Sequence, residues 1–390
     1  MTQRSRTPRN VVFALLAGLF ILAIVARGFF TGEKAEGVVP SADAGPPFSP
    51  PAPAGDREDI TFILGEDSGP TNRYYTNARA YYESHPDART EHLVTHLRSL
   101  LGVRDYLESH PPANGHPWGR INLVVHSNEW TGMETPVLPG GKRSDAPKIQ
   151  AAIDQGYFPP IVDALIDQKT EIVVFGCALG RDETILHTLR AAFGGAEGDP
   201  ERPQVRSSRY FINYLSEWVG GRPHSCRRLL TDFRYAFYPT GYRPADYQLV
   251  DQLQRSYPND SMAYSGALAR KAPRFAGDSY HHTFRVPIVK VVLYERPEDR
   301  PDFSTETARS AWFAQQTDLD SVFSAYQLTK EQFTWTYQKI RYEVAPGEKV
   351  PAVKLIGLCD VVCILQPLQD PQGHLIDPNP DDLRFFASTD

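Results

Sequence analysis

Cysteine is scarce in this chain, with four residues in 390. That number cannot build a disulfide-dense secreted scaffold, although it leaves room for one reactive thiol. Positive charge is not in excess either, because 41 lysines and arginines stand against 47 aspartates and glutamates, for a net charge of −6. A mildly acidic chain has no broad basic face, so we expect no nucleic-acid partner.

The composition is otherwise that of a globular protein, with 41% hydrophobic and 23% charged residues. These values exclude a fully disordered chain, a collagen-like chain and a coiled coil. The chain has no evident internal repeat. Its length suits two or three domains, or one large α/β unit with a small appendage.

Only one long apolar run is present, at residues 11–26, and three arginines precede it. Sixteen residues fall short of the ~20 that span a bilayer, but the run reaches that length if it continues past a snorkelling Arg27. A cleaved signal peptide would need a small residue where Ile24 stands. We therefore predict an uncleaved signal anchor at residues 1–36, a cytoplasmic N-terminus and an extracytoplasmic body at the cell membrane, with secretion after cleavage as the alternative.

Residues 37–57 contain six prolines and predict a semi-extended linker that cannot form a core. The folded body is predicted to comprise an α/β domain at 58–280 and a β-rich region at 281–390, which is either separate or part of the same fold. The β-rich region contains predicted strands at 287–295, 336–344 and 350–368.

Buried strands and helices alternate in the first half of the body. Strands are predicted at 60–65, 121–127 and 171–177 and helices at 72–83, 97–110, 145–168 and 182–195, while 91–96 fits a strand or a helix start. Further on, 203–214 is predicted to be a strand running into a helix, and 215–280 irregular or short helical. This alternation predicts an α/β fold with a doubly wound, mostly parallel sheet.

Two chemically capable residues follow the strongest predicted strands. Ligands of such sheets bind outside the carboxyl ends of the strands, where His126 and Cys177 lie. One helical crossover separates them, so we expect both side chains at the same edge of the sheet. A cysteine can attack a carbonyl carbon while a histidine protonates the leaving amine. The helix predicted to begin after Cys177 would lower the pKa of the thiol and stabilise an oxyanion.

The sequences INLVVHS at 121–127 and EIVVFGCALG at 171–180 resemble the caspase-like cysteine peptidases, the group of caspases, legumain and gingipains. The resemblance covers roughly residues 58–215. It implies a Cys177–His126 dyad, with the N–H groups of Ser127 and Cys177 as oxyanion donors. Ser127 stands where that family usually has glycine. The resemblance implies a cysteine endopeptidase that acts on a peptide or protein substrate. The apolar run at residues 11–26 predicts the membrane as a second partner.

Four other residues are candidates for the cleft. Asn128 and Glu129 are close enough in sequence to His126 to orient it, and Ser207 and Ser208 follow in the next strand and could shape a substrate pocket. Ordinary polar side chains on a solvent-exposed surface would account for these four residues equally well.

Other catalytic motifs fail on residue type. A nucleophile elbow around Ser127 would require glycines where Val125 and Glu129 stand. A cysteine phosphatase loop would need arginine where Glu183 stands. The spacing of the histidines indicates no metal site, and we expect no cofactor.

Two alternatives to a peptidase remain open. One is a catalytically inactive caspase-like envelope protein that binds a partner, in which the cysteine is a small buried residue. The other is an amidase or acyl-transfer enzyme that uses the same dyad on a non-protein substrate.

Overall fold

The structure, a computed structural model, describes residues 57–68, 72–85, 92–159, 161–194, 203–219, 222–273, 275–317, 319–325, 328–345 and 348–389. The predicted anchor at 1–36, and the linker at 37–57 except its last residue, lie outside this part of the chain, so both stay predictions. Within the ranges just given, no helix is long and apolar enough to cross a membrane.

The elements, in chain order, are β1 (Ile60–Ile63), α1 (Tyr74–Ser84), β2 (His92–Val94), α2 (Leu100–Ser109), β3 (Arg120–Val124), β4 (Ser127–Asn128), β5 (Gly132–Met133), α3 (Ala146–Asp154), β6 (Glu171–Phe175), α4 (Glu183–Gly194), β7 (Gln204–Ser208), β8 (Phe211–Val219), β9 (Arg222–Pro239), α5 (Asp246–Ser256), α6 (Tyr264–Leu268), β10 (Tyr280–Leu293), α7 (Glu306–Phe313), α8 (Leu319–Ala325), β11 (Thr334–Ala345), β12 (Glu348–Pro367) and β13 (Phe386–Ser388).

These elements form two compact units. The parallel-sheet unit contains the described residues of 57–234, 259–282 and 364–389, and the strand-rich unit contains those of 235–258 and 283–363. Three long strands, β9, β10 and β12, continue from one unit into the other along the chain.

The parallel-sheet unit is built on a six-stranded sheet of order β13-β7-β6-β3-β1-β2. All neighbouring pairs are parallel except β13 with β7. The chain moves from β1 to β2 on one side and then returns to β3 on the other, so the direction of winding reverses between β1 and β3. In a doubly wound sheet, such a reversal opens a crevice at the carboxyl ends of the strands.

The central strands β3 and β6 explain why this sheet was readable from the sequence. Residues 121–124 and 172–175 are all buried, because a parallel sheet is covered on both faces and its strands are therefore almost continuously apolar.

Two helices begin at residues whose side chains cap them. Ser99 accepts the Gly102 N–H ahead of α2, and Asp145 accepts the Lys148 N–H ahead of α3. The prediction of an α/β fold with a parallel sheet and a β-rich C-terminal part is thus confirmed.

Several predicted elements were wrong. The strand β7 is followed by another strand, β8, and not by the helix predicted within 203–214. The first part of segment 215–280, predicted to be irregular or short helical, is instead strand and belongs to the β8–β9 antiparallel pair, whereas α5 and α6 later in the segment are short helices. The reason is side-chain chemistry, because aromatic and branched residues dominate β8 and favour a pleated surface. The helix predicted at 145–168 ends at Asp154.

The strand-rich unit contains the antiparallel pair of β11 and β12, in which Thr334 lies opposite Leu358. Cys359 and Cys363 are fully buried in β12. Cys226 is buried in β9. All four cysteines are free thiols.

Candidate active site at the ends of two parallel strands

His126 and Cys177 follow neighbouring strands in matched register. Val124 of β3 lies opposite Phe175 of β6, and the Val125 N–H continues the ladder to Phe175 O at 3.2 Å. Each candidate residue is two positions beyond this last pair. The structure therefore places both at the carboxyl edge of the sheet. His126 follows β3, which borders the point where the winding reverses, and Cys177 follows β6, one strand further away.

Ser127 joins the two strand ends directly. Its Oγ donates a hydrogen bond to Cys177 O at 3.2 Å, and its side chain is buried. A Cβ atom on Gly176 would overlap this hydroxyl. The Ser127 side chain is thus accommodated by a glycine on the neighbouring strand end.

The two amides expected to stabilise an oxyanion are not used by the fold. Ser127 lies opposite Met133 in the β4–β5 pair, but these two residues do not exchange hydrogen bonds. The Glu134 N–H donates to His126 O instead, and the Met133 N–H donates to Ser144 O. Within the described part of the chain, neither Ser127 N–H nor Cys177 N–H has a protein acceptor. Neither amide is therefore committed to a hydrogen bond within the described part of the fold.

The His126 ring is held by the start of α1. Tyr74 stacks on it with a centroid distance of 4.1 Å, and Tyr75 meets it edge-on at 4.8 Å. Asn72 Nδ2 lies 3.3 Å from Nε2, while Asn72 Oδ1 accepts the Tyr74 N–H at 3.3 Å. Since an amide nitrogen can only donate, Nε2 accepts this bond and the neutral ring carries its proton on Nδ1.

The environment keeps His126 neutral. Burial lowers the pKa of His126 to about 4, and the charges of His282 and Arg143 also lower it, whereas Asp67 acts in the opposite direction. At neutral pH the imidazole is therefore unprotonated.

The Cys177 thiol is protonated and turned inward. Its Sγ donates to Ile212 O of β8 at 3.7 Å, and the residue is 8% exposed. Burial raises the pKa of Cys177 to about 12. No hydrogen bond joins Sγ to the His126 ring within the described residues.

The expectation that the following helix lowers the pKa of the thiol was wrong. The α4 helix begins only at Glu183, after a 3₁₀ turn at Leu179–Arg181. Asp182, placed between them, takes the Ile185 N–H of α4 at 3.2 Å. The helix N-terminus is therefore occupied by this carboxylate and not by the thiol.

Ala178 gives the strand end after Cys177 its sharp turn. Its φ of 54° lies in the left-handed region, and it is the one non-glycine residue with positive φ in the described ranges. Its N–H is held by Tyr210 O at 3.0 Å. Such backbone strain in a non-glycine residue is concentrated at functional sites.

Asn128 and Glu129, two of the four predicted cleft residues, take part in a local turn and an ion pair. Asn128 Oδ1 accepts the N–H groups of Trp130 and Thr131, so this side chain shapes a turn. The Glu129 side chain is buried, 3.9 Å from Arg181 Nε.

The two serines are buried in β7. Ser207 Oγ donates to Val174 O at 2.9 Å, and Ser208 Oγ accepts the Tyr210 N–H at 3.0 Å. The Ser207 hydroxyl thus ties β7 to β6, and the Ser208 hydroxyl holds the turn from β7 into β8.

Sequence reasoning missed the residues that hold the histidine. Asn72, Tyr74 and Tyr75 lie more than 50 residues before His126, in a segment recognisable only as the start of a helix. The one available signal was Asn72 at the start of the helix predicted at 72–83, and asparagine at that position indicates local structure and not a distant contact.

Within the described residues, no group of three or more His, Cys, Asp or Glu side chains could hold a metal ion. No protein-family model and no curated protein matches this chain.

Proposed function

We propose that this chain is a cysteine hydrolase of the caspase-like type that cleaves peptide bonds, with Cys177 as the nucleophile and His126 as the general acid and base. The observation that carries the proposal is the matched register of β3 and β6, which puts both residues at one sheet edge. The unused N–H groups of Ser127 and Cys177 support it, because an acyl-transfer site needs donors for the developing oxyanion.

The proposed reaction follows from the protonation states. Neutral His126 takes the thiol proton as Sγ forms a bond to the carbonyl carbon, and the carbonyl oxygen becomes an oxyanion facing the two amides. The intermediate collapses, and the leaving amine takes the proton from His126. Water then attacks the thioester, gives its proton to His126, and the departing sulfur takes that proton back.

This route requires two local rearrangements of the described conformation. The Sγ atom must leave Ile212 O, which a rotation about χ1 of Cys177 achieves. One ring nitrogen of His126 must also be free to accept the thiol proton. Turning the Asn72 amide would present its oxygen to an Nε2–H group and leave Nδ1 unprotonated.

We propose further that the parallel sheet is a caspase-like sheet, since the strand–helix order around INLVVHS and EIVVFGCALG supports this interpretation. The apolar run at 11–26 supports a membrane-anchored, extracytoplasmic location. Neither proposal is needed for the chemistry at Cys177.

A non-catalytic partner-binding protein is the second candidate function. The inward thiol favours it, because Cys177 is 8% exposed and protonated. Tyr74 favours it too, since its ring covers His126 while its hydroxyl donates to Phe175 O at 3.0 Å. An amidase or acyl-transfer enzyme would use the same dyad and differs only in its substrate.

Labelling with peptidyl acyloxymethyl ketones, which alkylate catalytic thiols, tests the proposal. We expect covalent labelling of the wild type, none of Cys177→Ala, and labelling slowed at least ~100-fold in His126→Ala, the usual contribution of general acid–base catalysis. Cys226→Ala is the matched control, because it removes another buried free thiol, and it should label like the wild type. Labelling that persists in Cys177→Ala refutes the nucleophile assignment. An unlabelled wild type supports the binding protein.

A further inference from the structure

Tyr75 makes an unusual contact between a side chain and the backbone of the candidate site. Its hydroxyl oxygen accepts the His126 N–H at 2.9 Å, and its ring meets the His126 ring edge-on. The residue is 4% exposed, and burial raises the pKa of Tyr75 well above its ordinary value, so the phenol is neutral. The buried His126 N–H, just beyond the end of β3, thus finds its acceptor in a side chain 51 residues earlier in the sequence.

The fold is built to put that hydroxyl there. Asp67 accepts the N–H groups of Tyr75 and Thr76, at 2.8 and 3.0 Å, and so fixes the first turn of α1. Gly65 follows β1, and a Cβ atom on it would overlap the Tyr75 ring. The glycine therefore opens the path along which the ring reaches the end of β3.

Two consecutive peptide planes are held as a result. Tyr75 binds the N–H of the Val125–His126 peptide, and Glu134 N–H binds the oxygen of the His126–Ser127 peptide at 2.7 Å. In a trans peptide, the N–H points away from the carbonyl oxygen. The Ser127 N–H is therefore directed away from Glu134 and stays free of protein acceptors.

We infer that Tyr75 is a positioning residue of the site, which sets the direction of the Ser127 N–H and the place of the His126 ring by fixing the backbone between β3 and β4. The inference rests on the proposed function. It assigns Tyr75 no contact with substrate and no proton transfer.

Tyr75→Phe tests it, because the change removes the acceptor and keeps the ring. We expect the maximal rate at which the ketone probe labels Cys177 to fall at least ~10-fold, because small displacements of catalytic groups slow a reaction strongly. The probe concentration that gives half of the maximal rate should change less than ~3-fold. Tyr82→Phe is the matched control. It removes another buried hydroxyl of α1, 3.4 Å from Tyr214 Oη, and should change the rate less than ~2-fold.

Equal labelling rates in Tyr75→Phe and wild type overturn the inference, as does an equal loss in Tyr82→Phe. Hydrogen exchange at the His126 amide gives a readout that does not depend on catalysis. We expect exchange at least ~10-fold faster in Tyr75→Phe and unchanged in Tyr82→Phe, since only the first loses the acceptor. If the wild type is not labelled, the proposed function fails, and exchange alone then decides whether Tyr75 holds this backbone.

Discussion

Ser127 Oγ donates a hydrogen bond to Cys177 O at 3.2 Å, across the ends of two parallel strands. The same hydroxyl occupies the space beside Gly176 where a Cβ atom would lie. These two residues keep the strand ends at a fixed separation, and the side chains of His126 and Cys177 depend on that separation.

We expect Gly176→Ala to lower the free energy of unfolding by about 1–3 kcal/mol, the usual cost of overpacking a core. Ser127→Gly should relieve most of the overlap, so the double variant should be more stable than the sum of the two single changes predicts. Urea unfolding of the four proteins measures this. Simple additivity would show that the two residues do not share the space.

Asp182 should make the folded state less stable as the pH rises. Burial raises the pKa of Asp182 to about 6, with smaller contributions from the charges of Glu129 and Asp145. Because the folded pKa is raised, the stabilising contribution of the protonated form is complete below pH ~4 and is lost as the pH rises through ~6.

Asp182→Asn should therefore be more stable than the wild type at pH 8, by up to about 3 kcal/mol, with the difference nearly gone at pH 4. The amide keeps an acceptor for the Ile185 N–H. Urea unfolding of both proteins at each pH measures this difference. His126 has the opposite effect, because its lowered pKa reduces the stability of the folded state as the pH falls from ~6.5 to ~4. That effect is the same in both proteins and cancels in the comparison. A stability difference that does not change with pH would contradict the burial of this carboxyl.

Asn72→Asp should raise the pKa of His126 by at least about one unit, because it puts a negative charge beside the imidazole. In the wild type, Asn72 Nδ2 lies 3.3 Å from His126 Nε2. NMR titration of the imidazole Cε1–H measures this, and His126→Gln assigns the resonance. Asn72→Leu, which adds no charge, is the control and should not raise the pKa. An unchanged value in Asn72→Asp would mean that residue 72 does not contact the ring.

Iodoacetamide should modify Cys177 at least ~100-fold more slowly at pH 8 in the native protein than in urea. The thiol is buried and burial raises the pKa of Cys177 to about 12, so almost no thiolate is present. Mass mapping of the alkylated peptide follows the reaction. Fast native alkylation would show that the thiol is open in the resting protein.

The carboxyl-edge position of His126 and Cys177 could be predicted because both residues end continuously apolar strands, and parallel strands end at a common edge. The state of the thiol could not. Its hydrogen bond goes to Ile212 of β8, and the segment 203–214 that contains Ile212 was predicted to run from a strand into a helix.

The partners of His126 were also beyond sequence reasoning. Asn72 and Tyr75 contact it across 54 and 51 residues, and no local pattern encodes such a pair. The contact of Ser127 could not be predicted either, because its side chain fits only where Gly176 has no Cβ atom. Gly176 lies 49 positions further along the chain, and the sequence gives no sign that the two residues meet.

Cleavage of a diverse peptide library by the full chain, read by mass spectrometry, tests the central claim most directly. The account predicts new peptide termini with the wild type that share a preferred residue, and none with Cys177→Ala or His126→Ala. No cleavage by the wild type, or the same cleavage by Cys177→Ala, would contradict it.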